Sequence, residues 1–212
     1  MKYLKKQRKS LKKRSYRLLY PIGVFLFGKK ECGKDTRRCR YHGPCCTKNL
    51  KLILEYSDRL FRENGIGYWL DYGTLLGAVR EKDLIDYDTD VDLGMLYRDR
   101  DKLLGLKERI EKDGFVFRKD HSAEFYRIAL SEMNSLHADV FLWKRNPDGV
   151  LYREDYMKKD DGKGKDFHED LILKLEEREI DGRMYPVPSG PEEFCRFRFG
   201  ENWRERIRYG GK

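Results

Sequence analysis

Four aspartates fall on alternate positions of one short stretch: Asp86, Asp88, Asp90 and Asp92. In an extended strand successive side chains alternate between faces, so Asp90 and Asp92 point one way and Val91 the other. Like charges held side by side repel, and something must offset them. A Mg²⁺ ion does so with one or two protein carboxylates, filling its remaining positions with phosphate oxygens and water. The Asp-x-Asp pair therefore predicts a metal that carries a substrate's phosphates. A solvated acidic turn is the alternative.

Two further stretches bear on that choice. Upstream, Gly73-Thr74 stands where a strand gives way to a helix, and small residues there let backbone N–H groups approach a phosphate, or simply cap the helix. Downstream, His137-Ala138-Asp139-Val140-Phe141-Leu142-Trp143 sets one acid in an apolar strand. A carboxylate there is costly unless it is paired or metal-bound. A neighbouring strand would bring Asp139 beside Asp90 and Asp92 to complete a three-carboxylate site; a salt bridge or a strand-end turn is the alternative. Arg80, at the end of the Gly-Thr helix, and Arg127, in the strand Phe125 to Leu130, are candidate phosphate or donor ligands, with a helix-end charge and a salt bridge to an active-site Asp as their ordinary readings. His121, His137 and His168 have no mutual spacing that suggests a catalytic or metal set.

Around these residues the pattern is α+β, a short mixed sheet flanked by helices. Leu50, Ile53, Leu54, Ser57, Leu60 and Phe61 follow helical spacing, with Thr47 as cap and Gly65 as stop. Strands are expected at Ile66 to Leu70, Val91 to Tyr97, Phe115 to Arg118, Phe125 to Leu130 and Ala138 to Trp143, with one helix over Asp99 to Lys112. Asp181-Gly182 supplies the positive φ angles of a tight hairpin, and Pro191 opens a short helix. Asp155 to Glu169 reads as a polar loop.

The segment YWLDYGTLLGAVREKDLIDYDTDVDLGM, Tyr68 to Met95, resembles the signature of the LicD family, which includes bacterial phosphocholine transferases, fukutin and fukutin-related protein. The stretches Ile180 to Pro188 and Phe199 to Trp203 resemble the family's C-terminal segment, so the likeness runs from about Leu50 to Trp203. The resemblance implies a nucleotidyltransferase-like fold in which Gly73 and Thr74, then Asp90 and Asp92, then Asp139 fill the superfamily's three-part pattern. It also implies a phosphotransferase that moves phosphocholine or a phospho-alditol such as ribitol phosphate from a CDP-activated donor to a glycan hydroxyl, with Mg²⁺ or Mn²⁺ as catalytic ion. A nucleotidyltransferase that attaches a nucleoside monophosphate to a small molecule or protein would use the same carboxylates.

The overall charge of +9 is unevenly spread. Residues 1–50 hold 16 Lys/Arg against Glu31 and Asp35, while the rest holds 30 basic and 35 acidic residues. The body is mildly acidic, which makes nucleic acid an unlikely partner. The expected organisation is a basic and apolar arm over residues 1–30, a cysteine-rich element over 31–47 and a catalytic domain over 48–212. The apolar run Leu18 to Phe27, interrupted by Pro21 and Gly23, is a weak signal anchor, a peripheral contact with an anionic leaflet, or a solvated or packed arm. Cys32, Cys39, Cys45 and Cys46 resemble the zinc-binding cysteines of fukutin-related protein, and a structural Zn²⁺ is expected there, with disulfides or thiols as alternatives. A glycan acceptor implies the Golgi lumen or its membrane in a eukaryotic cell, and the cytoplasm otherwise.

Overall fold

The structure, a computed structural model, describes residues 44–86, 88–119, 125–131, 136–153 and 166–206. The basic arm, Cys32 and Cys39, and the Cys45 side chain lie outside what is described, and with them the expected zinc site; Cys46 is buried in the core. Among the described residues no helix is long and apolar enough to cross a membrane.

Helix α1, Pro44–Glu63, carries the predicted stripe: Leu50, Ile53, Leu54, Ser57, Leu60 and Phe61 are all buried. It packs across a mixed sheet built from β1 (Tyr68–Leu70), β2 (Asp90–Leu96), β3 (Val116–Lys119), β4 (Phe125–Ala129) and β5 (His137–Arg145), in spatial order β1-β2-β5-β4-β3. Only β2 and β5 run parallel; the other pairs on that path are antiparallel. Val91, Leu93 and Met95 of β2, with Ala138, Val140 and Leu142 of β5, are buried on the face that takes α1. Strict alternation then sends the acids to the other face. Between β1 and β2, helix α2 (Tyr72–Glu81) is capped by Asp71, whose carboxylate accepts from the Tyr72 N–H.

The single helix expected over Asp99 to Lys112 is broken in two, α3 (Arg100–Gly105) and α4 (Lys107–Lys112), preceded by a 3₁₀ turn over Tyr97–Asp99. Gly105 weakens the helix at the break, where the Leu106 N–H turns back to the Leu103 carbonyl in a tighter bond of 3.2 Å. Beyond β5, β6 (Val150–Tyr152) and β7 (Phe167–His168) extend the sheet, and α5 (Asp170–Leu173) follows. Part of the expected polar loop thus pairs as β7, since Phe167 is a core residue. The hairpin β8 (Glu176–Ile180) and β9 (Arg183–Val187) turns at Asp181 and Gly182, with φ of 52° and 79°. Helix α6 (Pro191–Phe199) closes the described fold against α2.

Gly94 is required by its neighbour. It pairs with Trp69 across β1 and β2, and a Cβ there would lie 2.2 Å from Trp69 Cε2.

Candidate active site

The parallel register of β2 and β5 sets Asp90 opposite His137 and Asp92 opposite Asp139. Partners in register share a face, so these four side chains project together from the N-terminal ends of the two strands. On the next strand, Arg127 pairs with Asp139. The three carboxylates expected to converge, Asp90, Asp92 and Asp139, lie side by side.

His137 joins them. Its Nε2 lies 3.3 Å from Asp139 Oδ1 and 3.8 Å from Asp90 Oδ2. Asp90, His137 and Asp139 each offer one ligand atom, and the three atoms fall within 4.8 Å of one another, a group that could hold a metal ion. Spacing among the histidines gave no hint of this. The available signal was its position two residues before Asp139, which places both on one face of a strand.

Asp92 is held from the start of α2. The Gly73 N–H donates to Asp92 Oδ2 at 3.0 Å, and the Asp92 N–H donates to Thr74 Oγ1 at 2.8 Å. Gly73 also leaves room for Asp88: a Cβ would lie 2.8 Å from Asp88 Oδ2 and 3.4 Å from Asp92 Oδ2. Gly73 and Thr74, expected to meet a phosphate, are therefore engaged with the acidic strand.

The two arginines are engaged as well. Arg127 Nε donates to Asp139 Oδ1 at 2.7 Å, and its Nη2 reaches Oδ2 at 3.4 Å. Arg80 pairs with Glu81 at 2.7 Å and donates to the carbonyls of Trp203 and Glu205. It thus fastens the chain after α6 onto α2.

Crowding of carboxylates dominates the electrostatics. Burial pushes the Asp88 carboxyl up to about 7, the charge on Asp90 adds to the rise, and Arg80 opposes it. Burial also raises Asp90, with His137 opposing and Asp139 reinforcing the rise. Asp92 is driven well above the ordinary carboxylate range by burial, then by Asp90, Asp139 and Asp88. Burial and mutual repulsion thus oppose their joint ionisation, and a bound cation would offset that repulsion. Oxygen-rich donors with one imidazole, at the observed spacing, fit a divalent ion.

Behind the acids the same face turns aromatic and cationic. Asp71 and Arg198 form a fully buried ion pair at 3.2 Å, and Arg153 is buried over the ring of Phe141, 4.3 Å from its centroid. Asp71, Arg153 and Arg198 escaped the sequence reading because nothing local distinguishes them from surface charges. A separate cavity of about 1000 Å³ lies at the other end of β2 and β5, lined by Trp69, Tyr97, Lys144 and Glu169 among others, away from the acids.

Comparison with known proteins agrees with this architecture. Residues 65–190 match the family described as LicD/FKTN/FKRP, nucleotidyltransferase domain. Human ribitol 5-phosphate transferase FKRP is 30% identical over 199 residues, covering 84% of this chain and 39% of that protein. The chain thus spans about two fifths of that relative's length. The uncharacterized protein RP689 of Rickettsia prowazekii is 27% identical over 104 residues, covering 49% of this chain and 36% of its own. Among solved structures, lincomycin-bound lincosamide antibiotic adenylyltransferase LnuA aligns with a TM-score of 0.46 at 17% identity, covering 68% of this chain and 83% of that one, a likeness too distant to bear on chemistry. With the family's domain matched over more than half its residues, the chain belongs to the LicD/FKTN/FKRP family.

Proposed function

We propose that this chain is a metal-dependent phosphotransferase that moves a phospho-alditol, ribitol 5-phosphate first among candidates, from a CDP-activated donor to a glycan hydroxyl. The observation that carries the reading is the shared face of Asp90, Asp92, His137 and Asp139 at the parallel strand ends. The alditol is suggested by the relatives named ribitol 5-phosphate transferase.

In the proposed reaction the acceptor hydroxyl oxygen bonds to the donor's β-phosphorus. The bond from that phosphorus to the bridging oxygen breaks, CMP departs with the oxygen, and the acceptor's proton is lost to a base. Asp90, His137 and Asp139 would hold a Mg²⁺ or Mn²⁺ ion, with Asp92 beside them. Such an ion, when bound, offsets the charge of the diphosphate and of the departing CMP. Arg127 orients Asp139 by its 2.7 Å bond. Gly73 and Thr74 fix Asp92 against the repulsion of its neighbours.

The test is to incubate the purified chain with CDP-ribitol, other CDP-alcohols and a glycan acceptor, with Mg²⁺ or Mn²⁺, and to follow the released product. CMP release that depends on acceptor, and that falls at least about 100-fold in folded Asp90→Asn and Asp92→Asn variants, is the expected result. Pyrophosphate release from a nucleoside triphosphate, with none of CMP, would replace this reading by nucleotidyl transfer.

A further inference from the structure

We propose that Arg198 is a positioning residue for the ion-binding carboxylates, acting through Asp71 and the ring of Tyr72. The proposal rests on the ion-site reading above and extends it to a side chain that does not reach the ion.

The connection is continuous. Arg198, on α6, is fully buried, and its Nη2 lies 3.2 Å from Asp71 Oδ1 and 3.4 Å from Oδ2. Asp71 touches the acidic strand directly: its N–H donates to the Asp92 carbonyl at 3.0 Å. Its carboxylate accepts the Tyr72 N–H at 2.9 Å, and the next N–H along, that of Gly73, donates to Asp92 Oδ2 at 3.0 Å. Three consecutive residues therefore join the Arg198 pair to both ends of Asp92.

The middle residue is strained. Tyr72 has φ of +39°, a backbone state that side-chain-bearing residues rarely occupy and that persists when surroundings over-determine it. Its ring supplies those surroundings. The Arg198 guanidinium lies 4.8 Å from the ring centroid, that of Arg153 5.3 Å, and the Phe141 ring meets it edge-on at 5.1 Å. A guanidinium over an aromatic face is attracted by the ring quadrupole, more so where water is excluded. Arg198 thus grips both neighbours of one peptide bond, the Asp71 carboxylate and the Tyr72 ring, and sets the direction of the N–H that follows.

A buried ion pair by itself says little about stability, because apolar replacements often serve equally well. What points to positioning is where this pair sits: at the cap of the helix whose first turn holds Asp92, in contact with the one strained side-chain-bearing residue there. Supporting contacts of this kind are worth about 10–100-fold in metal affinity.

The test measures Mn²⁺ binding to the full chain by electron paramagnetic resonance, without nucleotide, in three variants. Asp90→Asn should weaken binding severely; wild-type affinity there would overturn the ion-site reading itself. The double variant Asp71→Asn/Arg198→Met leaves no orphaned charge and keeps an acceptor for the Tyr72 N–H. It should remain folded by circular dichroism and bind Mn²⁺ about tenfold more weakly or worse. Wild-type affinity in that folded protein, with Asp90→Asn impaired, would overturn the positioning role alone. Should the double variant not fold, Arg198→Lys decides by the same titration, since it keeps a cation beside Asp71 but loses the planar group over Tyr72. A drop of about threefold or more supports the proposal, and unchanged binding overturns it.

Discussion

The backbone N–H of Gly73 donates to Asp92 Oδ2 across 3.0 Å, so the first turn of a helix holds a carboxylate that its own neighbours repel. Gly73→Ala tests how much that contact matters. The added methyl would meet Asp88 Oδ2 at 2.8 Å, the far end of a side chain that can swing away. The expected outcome is a folded protein whose melting temperature changes little, with divalent-ion affinity and transfer activity reduced about tenfold or more. Unchanged ion affinity would show that the close approach is incidental.

Stability of the metal-free protein should depend on pH in an unusual direction. Asp88 starts from 3.8 and is raised to about 7, and Asp90 and Asp92 are raised too. Raised carboxyls keep protons in the folded state that the unfolded chain has released, so folding weakens as pH climbs through that window. In chelator, stability should fall on the order of 1–2 kcal/mol between pH 5 and pH 8, allowing for solvent screening of half-exposed groups. Adding Mn²⁺ at pH 8 should reverse the loss, and Asp92→Asn should lessen it. Chemical denaturation across that range is the measurement, and stability rising with pH in chelator would count against the crowded-carboxylate account. The lowered carboxyls Asp113 and Glu169 act in the other direction but lose their effect only in acid, outside this window.

His137 sits between Asp90 and Asp139, so its removal separates two roles. His137→Ala should leave the fold intact and weaken Mn²⁺ binding about tenfold, a size common for groups at or beside a metal. The nitrogen hyperfine coupling of bound Mn²⁺ would be lost with the imidazole. Full retention of affinity and of that signal would place His137 outside the ion's reach.

Gly94→Ala is a packing test two residues beyond Asp92 on the same strand. The new Cβ would lie 2.2 Å from Trp69 Cε2, inside a buried ring that has nowhere to move. The cost should be about 1–3 kcal/mol or more, read as a lower denaturant midpoint. Pairing it with Trp69→Leu should recover part of that loss, and additive losses would argue against the contact.

Much of the fold follows from local spacing. The stripe from Leu50 to Phe61 made α1 readable because helical period and burial coincide there. Asp181-Gly182 made the last hairpin readable because few residue pairs accept two positive φ angles. Where propensity was divided, local reading failed: Gly105 splits a helix that charge pattern alone would continue, and Phe167 draws a polar segment into the sheet.

The site shows the same division. Alternation along one strand was enough to put Asp90 and Asp92 on a common face, and an acid among apolar neighbours was enough to single out Asp139. Tertiary pairing decided everything between strands. The parallel register of β2 and β5 set Asp139 beside Asp92 and brought in His137, while β4 delivered Arg127 to Asp139. Asp71 and Arg198 stand 127 positions apart and meet only because α6 folds back on α2. Side-chain direction within an element is a property of backbone geometry and can be read from a string of residues, whereas distance between elements depends on which apolar faces bury one another, and that is settled only in the folded chain.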